Sequence, residues 1–126
     1  MAGLLDGEGS VQLAKNTANC NRTPAITVSS TTYEIMAWLK DNFGGSISTH
    51  KVYQEHHKQS WSWKLIRLSD VFSLLENTLP YMLEPRKVAR GHFILDHYAS
   101  VTKRNGKYTE EQKRAKEAFE SDFFAL

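Results

Sequence analysis

The first chemistry that the sequence offers is a pair of carboxylates near its start. Asp6 and Glu8 stand among glycines in the stretch MAGLLDGEG, residues 1–9. If two copies of this segment pack as helices about a two-fold axis, each Glu8 meets its symmetry mate. Two close carboxylates repel unless a cation lies between them, and Mg²⁺ accepts carboxylate, carbonyl, water and phosphate oxygens. Metal ions held beside a phosphodiester activate water and stabilise the leaving oxygen.

The same stretch has a face without side-chain bulk. Gly3 and Gly7 are four residues apart, so they share one face of a helix, with Ala2 beside them. Small residues at this spacing let two helix backbones approach closely. We therefore predict a seam between two copies of the chain, formed by Ala2, Gly3, Asp6 and Gly7.

Hydrophobic alternation predicts the strands that must carry these residues. In SWSWKLIRL, Trp61 and Trp63 alternate with polar side chains. We expect this tryptophan row to pack in the core; a platform for stacked bases, suited to single strands, is the weaker alternative. The predicted strands are Ser10 to Lys15, Ala25 to Ser30, Ser46 to Tyr53 and Ser60 to Leu68.

Capping residues and breakers predict the helices between and after the strands. Thr31 with Glu34, and Thr109 with Gln112, have the spacing of a capping box. The first of these helices has an apolar stripe of Ile35, Trp38, Leu39 and Phe43, and the last has Ala115, Phe119 and Phe123. The predicted breaks are at Gly44 and Gly45, at Pro80, and before Pro85, which suits a first helical turn.

Composition limits the class of protein. The 126 residues suit one domain, and 40% hydrophobic with 24% charged residues is typical of a globular chain. We expect no membrane partner and an intracellular protein, because no long apolar run or signal peptide is visible and Cys20 is the only cysteine. Residues 1–108 have thirteen basic and nine acidic residues, a net +4, which suits a polyanionic partner as well as it suits ordinary solvated lysines.

MAGLLDGEG resembles the LAGLIDADG motif of homing endonucleases. Two further segments resemble those domains: ITVSSTTYEIMAWLKDNFGG, residues 26–45, and WSWKLIRLSDVFSLLENTLPYM, residues 61–82. The resemblance covers residues 1–101, and we assign residues 102–126 to a turn and helix of the same domain. It implies an α+β fold: an αββαββα half-saddle, with an antiparallel four-stranded sheet and helices on one face.

The resemblance also implies a site. Glu8 is the catalytic carboxylate and binds the metal together with a backbone carbonyl, taken as that of Gly7, whereas Asp6 is mainly structural. The metal is Mg²⁺, or Mn²⁺ or Ca²⁺ in its place. Ser30 stands where the family often has Gln, and Pro85 stands where many members have a Lys, so Arg86 and Lys87 are the candidates to supply that charge.

Polar residues opposite the apolar rows are candidates for contacts with DNA, because an antiparallel ribbon fits the major groove. By alternation these are Gln12, Thr27, Ser29, Ser62 and Lys64. Strand ends and a polar tip add Lys15, Arg22, Lys51, Tyr53, His56, Lys58 and Arg67.

These residues lead to one functional hypothesis and one alternative. We expect a homodimeric, metal-dependent endonuclease that cuts double-stranded DNA at a roughly palindromic site, with no small-molecule cofactor. As for location, such an enzyme acts in a bacterial cytoplasm, a phage-infected cell or an organelle. Ser30 and Pro85 favour the alternative, a DNA-binding or maturase-like RNA-binding protein that has lost cleavage.

Overall fold

A computed structural model describes residues 1–15, 22–49, 59–102 and 106–126. Within these ranges four antiparallel strands form one sheet in the order β1-β2-β4-β3. The strands are β1 Gly9–Ala14, β2 Thr23–Ser30, β3 Ser46–Thr49 and β4 Trp61–Leu65. The helices are α1 Ala2–Glu8, α2 Tyr33–Phe43, α3 Leu68–Thr78, α4 Pro85–Val101 and α5 Glu110–Phe124, with a 3₁₀ turn at Leu79–Tyr81. The predicted α+β fold with an αββαββα order is confirmed.

The sheet has one buried face and one open face. Gly9 pairs with Val28 and Val11 with Ile26, and the side chains of Val11, Ile26 and Val28 point into the core. On the neighbouring strand Trp63 is fully buried, and its indole N–H donates to the Gly44 carbonyl at 2.7 Å. The tryptophan row therefore belongs to the core, as predicted, and the helices cover this face alone.

Of the two predicted capping boxes, one is present and the other is absent. The capping box of α5 is present, with Thr109 and Gln112 each accepting from the other's backbone N–H. The predicted box of α2 is wrong, because the N-cap is Thr32 and its side chain caps nothing. The Ser30 hydroxyl accepts from the Thr32 N–H instead, at 3.0 Å.

Other boundaries moved by a few residues. β4 ends at Leu65 rather than at Leu68. Leu68 is the first residue of α3, and the carbonyl of the preceding Arg67 accepts from the Val71 N–H. β3 is described only to Thr49, so its predicted continuation to Tyr53 lies outside the described residues. Gly44 and Gly45 end α2 with φ of 78° and 85°, as their sequence position predicted.

Two predicted apolar stripes are only partly correct. Met36 and Leu39 are the buried residues of α2, while Trp38 lies 46% exposed. In α5, Ala115 is exposed and Lys116 is buried, donating to the Thr102 hydroxyl at 2.7 Å. Burial lowers the pKa of Lys116. None of the described helices is long and apolar enough to cross a bilayer.

Candidate metal and nucleic-acid site

Glu8 is the last residue of α1 and lies exposed where the helix passes into the sheet. The passage is tight: a Cβ on Gly9 would stand 2.8 Å from the Leu5 Cα, so only glycine fits there. Because β1 begins at Gly9, Glu8 directly precedes one end of the β1–β2 pair, the end at which Gly9 lies opposite Val28. We call this the inner end; the outer end is at Ala14 and Thr23.

Backbone electrostatics make the end of α1 attractive to cations. Carbonyl oxygens of the last turn, including that of Gly7, project from the C-terminal end and carry partial negative charge. An acidic side chain at this end is unfavourable for the helix itself. Glu8 therefore breaks a local stability rule, which is typical of a functional position.

Lys87 supplies one cation to this end of α1. It lies in the first turn of α4, and its ammonium group donates to the carbonyls of Leu5 at 3.0 Å and Asp6 at 2.7 Å. These are charge-assisted hydrogen bonds, stronger than neutral ones. They join α1 to α4 one or two residues before Gly7 and two or three before Glu8.

The Asp6 carboxylate connects α1 to the turn before α4. Its carboxylate accepts from the N–H groups of Leu83, at 3.0 and 3.1 Å to its two oxygens, and Glu84, at 3.0 Å. These two backbone hydrogen bonds lower the pKa of Asp6, and the charge of Lys87 acts in the same direction. The carboxylate therefore has a structural role within the chain, and its place in the seam between two copies stays a prediction.

The lowered pKa of Asp6 predicts how acid destabilises the protein. The ordinary value is 3.8, so the stabilisation from ionised Asp6 is complete above about pH 4 and is lost as pH falls through the lower folded value. We expect Asp6→Asn to have a lower Tm than wild type at pH 7, with the gap closing below pH 4. Melting curves across pH check this, with exposed Asp41→Asn as control; a gap that stays constant down to the most acid pH contradicts it.

The other two predicted catalytic side chains are engaged elsewhere. Arg86 donates from Nε to the Leu126 carbonyl oxygen at 2.9 Å, so it is committed to the end of α5. The Ser30 hydroxyl accepts from Thr32 at the start of α2. Of the two basic candidates, the structure brings only Lys87 to the helix that carries Glu8.

The open face of the sheet presents the predicted polar residues together. The register places Ser10 opposite Thr27, Thr27 opposite Lys64, and Ser29 opposite Ser62, with the two hydroxyls of the last pair 3.4 Å apart. Gln12, Thr27, Ser29, Ser62 and Lys64 all lie on this face, as alternation predicted. The register also places on it three residues that were not among the predicted DNA contacts, Ser10, Ser46 and Ser48, and Thr23, whose hydroxyl oxygen is buried.

The basic residues at the strand ends have different surroundings. Lys15 and Arg67 are exposed and stay candidates for phosphate contacts. Arg22 is held by contacts within the chain, described below. The remaining candidates, Lys51, Tyr53, His56 and Lys58, lie outside the described residues.

The bare face of α1 is open. Gly3 and Gly7 are exposed, and a Cβ added to either would meet no atom within 4 Å. Two large apolar side chains stand in the turn before α4, with Tyr81 75% and Leu83 85% exposed. A groove of ≈ 710 Å³ lies next to them, lined by Met1, Ala2, Gly3, Phe43, Asn77 and Tyr81, among others.

The described oxygen donors of one chain alone are too few for a magnesium site. Among the described residues there is no group of three or more His, Cys, Asp and Glu that could hold a metal ion. Mg²⁺ commonly binds through one or two carboxylates while keeping water and phosphate oxygens. Glu8 and the Gly7 carbonyl fit that pattern when a second copy and a phosphate supply further oxygens.

Solved structures share this architecture. The LAGLIDADG homing endonuclease I-GzeII in complex with its DNA target matches with a TM-score of 0.64 and 18% identity, covering 94% of this chain and 42% of that one. The LAGLIDADG meganuclease I-AabMI bound to uncleaved DNA gives 0.63 and 19%, covering 95% and 44%. The homing endonuclease I-CvuI, solved with DNA and 2 mM Mg, gives 0.54 and 15%, covering 94% and 90%.

No family model matches the sequence, and no curated protein matches it. The chain spans nearly all of I-CvuI but less than half of I-GzeII and I-AabMI. Fold and opening motif agree: the chain has the LAGLIDADG homing endonuclease fold that MAGLLDGEG predicted.

Proposed function

We propose that the chain is a homodimeric, divalent-metal-dependent endonuclease that cuts double-stranded DNA at a roughly palindromic site. The observation that carries the proposal is the position of Glu8. It is an exposed carboxylate at the C-terminal end of α1, beside a sheet whose open face is mostly polar. I-GzeII, I-AabMI and I-CvuI, which share the fold, were all solved with DNA.

The bare face of α1 supports the dimer. Close approach of two α1 helices at Gly3 and Gly7 brings the two Glu8 residues near a common axis, because Glu8 directly follows Gly7. Exposed Tyr81 and Leu83 offer the apolar area that such a contact needs. Each copy then supplies one carboxylate and one sheet to one half-site.

Different residues of this chain bind the metal, position the catalytic carboxylate and contact the DNA in this proposal. Glu8 and the Gly7 carbonyl hold Mg²⁺, which when bound polarises the scissile phosphate and lowers the pKa of water. Lys87 and Asp6 fix the end of α1 through Leu5 and through the turn before α4, so that the carboxylate keeps one position. Lys64 and the hydroxyls of the open face contact base edges and phosphates.

Two observations favour the alternative, a nucleic-acid-binding protein without cleavage. The Ser30 hydroxyl is engaged at the start of α2, and Pro85 offers no charge where many family members have a Lys. Neither residue is among the polar side chains of the open face or on the glycine face of α1. A protein of this kind binds duplex DNA, or RNA as a maturase does, and leaves it intact.

A library of duplex sites separates the two functions. The wild-type protein is incubated with the library in Mg²⁺, in Ca²⁺ and in EDTA, and bound and cut molecules are sequenced separately. We expect binding in Ca²⁺, and paired cuts, one on each strand, in Mg²⁺ alone. Enrichment of bound sites with no cut product in Mg²⁺ supports the alternative and contradicts the nuclease; a monomer on DNA in sedimentation contradicts the dimer.

A further inference from the structure

Arg22 joins three parts of the molecule at the outer end of the β1–β2 pair. Its Nη1 donates to the Leu13 carbonyl at 3.2 Å, and its backbone N–H donates to Glu120 Oε1 at 2.9 Å. Its guanidinium carbon lies 5.0 Å from the centre of the Phe124 ring. One residue, directly before β2, therefore contacts both β1 and α5.

This contact lies at the edge of the sheet. β1 is an edge strand, with β2 as its only neighbour in the described sheet. Leu13 and its Cα partner Pro24 stand one position before the last pair of the β1–β2 ladder, and proline has no N–H to donate. The Arg22 guanidinium therefore gives the Leu13 carbonyl a hydrogen bond that the pairing with Pro24 does not supply. Without Arg22 the outer end of this pair loses that bond.

Position along the pair corresponds to distance from Glu8. The pair begins at Gly9 and Val28, beside Glu8, and ends at Ala14 and Thr23. Five steps of ~3.3 Å give ~17 Å, which is about five base pairs at ~3.4 Å each. Arg22 thus fixes the part of the open face that lies farthest from the cleavage site.

We infer that Arg22, held by Glu120 and Phe124 of α5, is a positioning residue that sets sequence preference at the outer base pairs of each half-site. The inference rests on the proposed function. It replaces the direct DNA contact that we predicted for Arg22, since the guanidinium donates to the Leu13 carbonyl and lies over the Phe124 ring. It also gives α5, which packs against α4 through Phe119, a part in DNA recognition.

Two variants test this role. Arg22→Lys keeps the charge but loses the fork that reaches Leu13, and Phe124→Leu removes the ring without touching any charge. Binding is measured on duplexes that each carry one base change. We expect discrimination to fall several-fold at positions about four to six base pairs from the cut, and to stay unchanged nearer the cut. Phe93→Leu is the control, because its ring stacks on Phe119 and does not contact Arg22 in the described structure.

The outcomes separate this inference from the proposed function. An even loss of affinity in Arg22→Lys or Phe124→Leu, with the preference profile intact, overturns the inference and leaves the endonuclease standing. Hydrogen exchange adds a readout without DNA: we expect amides near Leu13 and Ala25 to exchange at least tenfold faster in both variants, and Trp63 to be unchanged. Unchanged exchange near Leu13 overturns the anchor itself. If wild type binds no duplex, the proposed function fails, and the preference inference fails with it, whatever the exchange shows.

Discussion

Replacing Glu8 with Gln is expected to abolish DNA cleavage while binding and folding persist. The carboxylate is exposed at the end of α1, so the isosteric amide disturbs no packing. It removes the charge that would hold the metal in the proposed site, and metal assistance of several kcal/mol corresponds to a rate loss on the order of 10³-fold. Because a negative charge at a helix C-terminus is unfavourable, Glu8→Gln is also expected to raise the Tm slightly.

The experiment measures cleavage of a preferred duplex at saturating protein with Mg²⁺, together with affinity in Ca²⁺ and the melting curve. Glu76→Gln is the matched control, since Glu76 is an exposed carboxylate on α3. Lost cleavage with unchanged affinity and an equal or higher Tm assigns Glu8 to chemistry. Cleavage by Glu8→Gln within tenfold of wild type contradicts the metal-binding role.

The sequence predicted the parts of the fold in which a local pattern and the tertiary environment agree. Alternation placed Thr27 and Lys64 on the same open face, because strict alternation leaves each residue only two directions. Thr109 and Gln112 formed their capping box because both partners lie within one helical turn. The helix end at Gly45 was predicted correctly because the site there requires glycine. Its φ is positive, and a Cβ would stand 2.7 Å from the Lys64 carbonyl oxygen.

Predictions failed where residues distant in sequence decide the outcome. The Thr31–Glu34 box did not form, because β2 runs through Ser30 and the N-cap position of α2 falls one residue later than predicted, at Thr32. Lys116 is buried where Ala115 was expected, because Tyr98 and Thr102 of the preceding segment accommodate its cation; its Nζ lies 4.1 Å from the Tyr98 ring centre. No pattern within α5 contains that information.

The candidate site shows the same division. The exposed positions of Glu8 and of the glycine face could be predicted from residues 1–9 alone, whereas the choice between Arg86 and Lys87 could not. Neighbours on a helix point about 100° apart, so only the packing of α4 decides which one faces α1. The two engagements of Asp6 likewise join residues 77 and 78 positions apart in the chain.

Replacing Lys87 with Met is expected to weaken both the fold and the activity. The variant keeps the aliphatic stem and loses the two bonds to the carbonyls of Leu5 and Asp6. Hydrogen bonds that involve a charged group contribute about 1.5–3 kcal/mol, so we expect the free energy of unfolding to fall by about that amount. Since displacing a catalytic group by ~1 Å can cost about 100-fold in rate, cleavage is expected to fall about 10- to 100-fold.

The neighbouring Arg86→Met variant makes this result specific. Both substitutions remove one positive charge from the first turn of α4, but Arg86 contacts Leu126 rather than α1. If the charge near the DNA is what matters, the two variants lose affinity and cleavage alike. If the hold on α1 is what matters, only Lys87→Met loses cleavage, and it does so at saturating DNA, where a weaker phosphate contact no longer limits the rate. Equal losses in the two variants contradict the role of Lys87 in positioning Glu8.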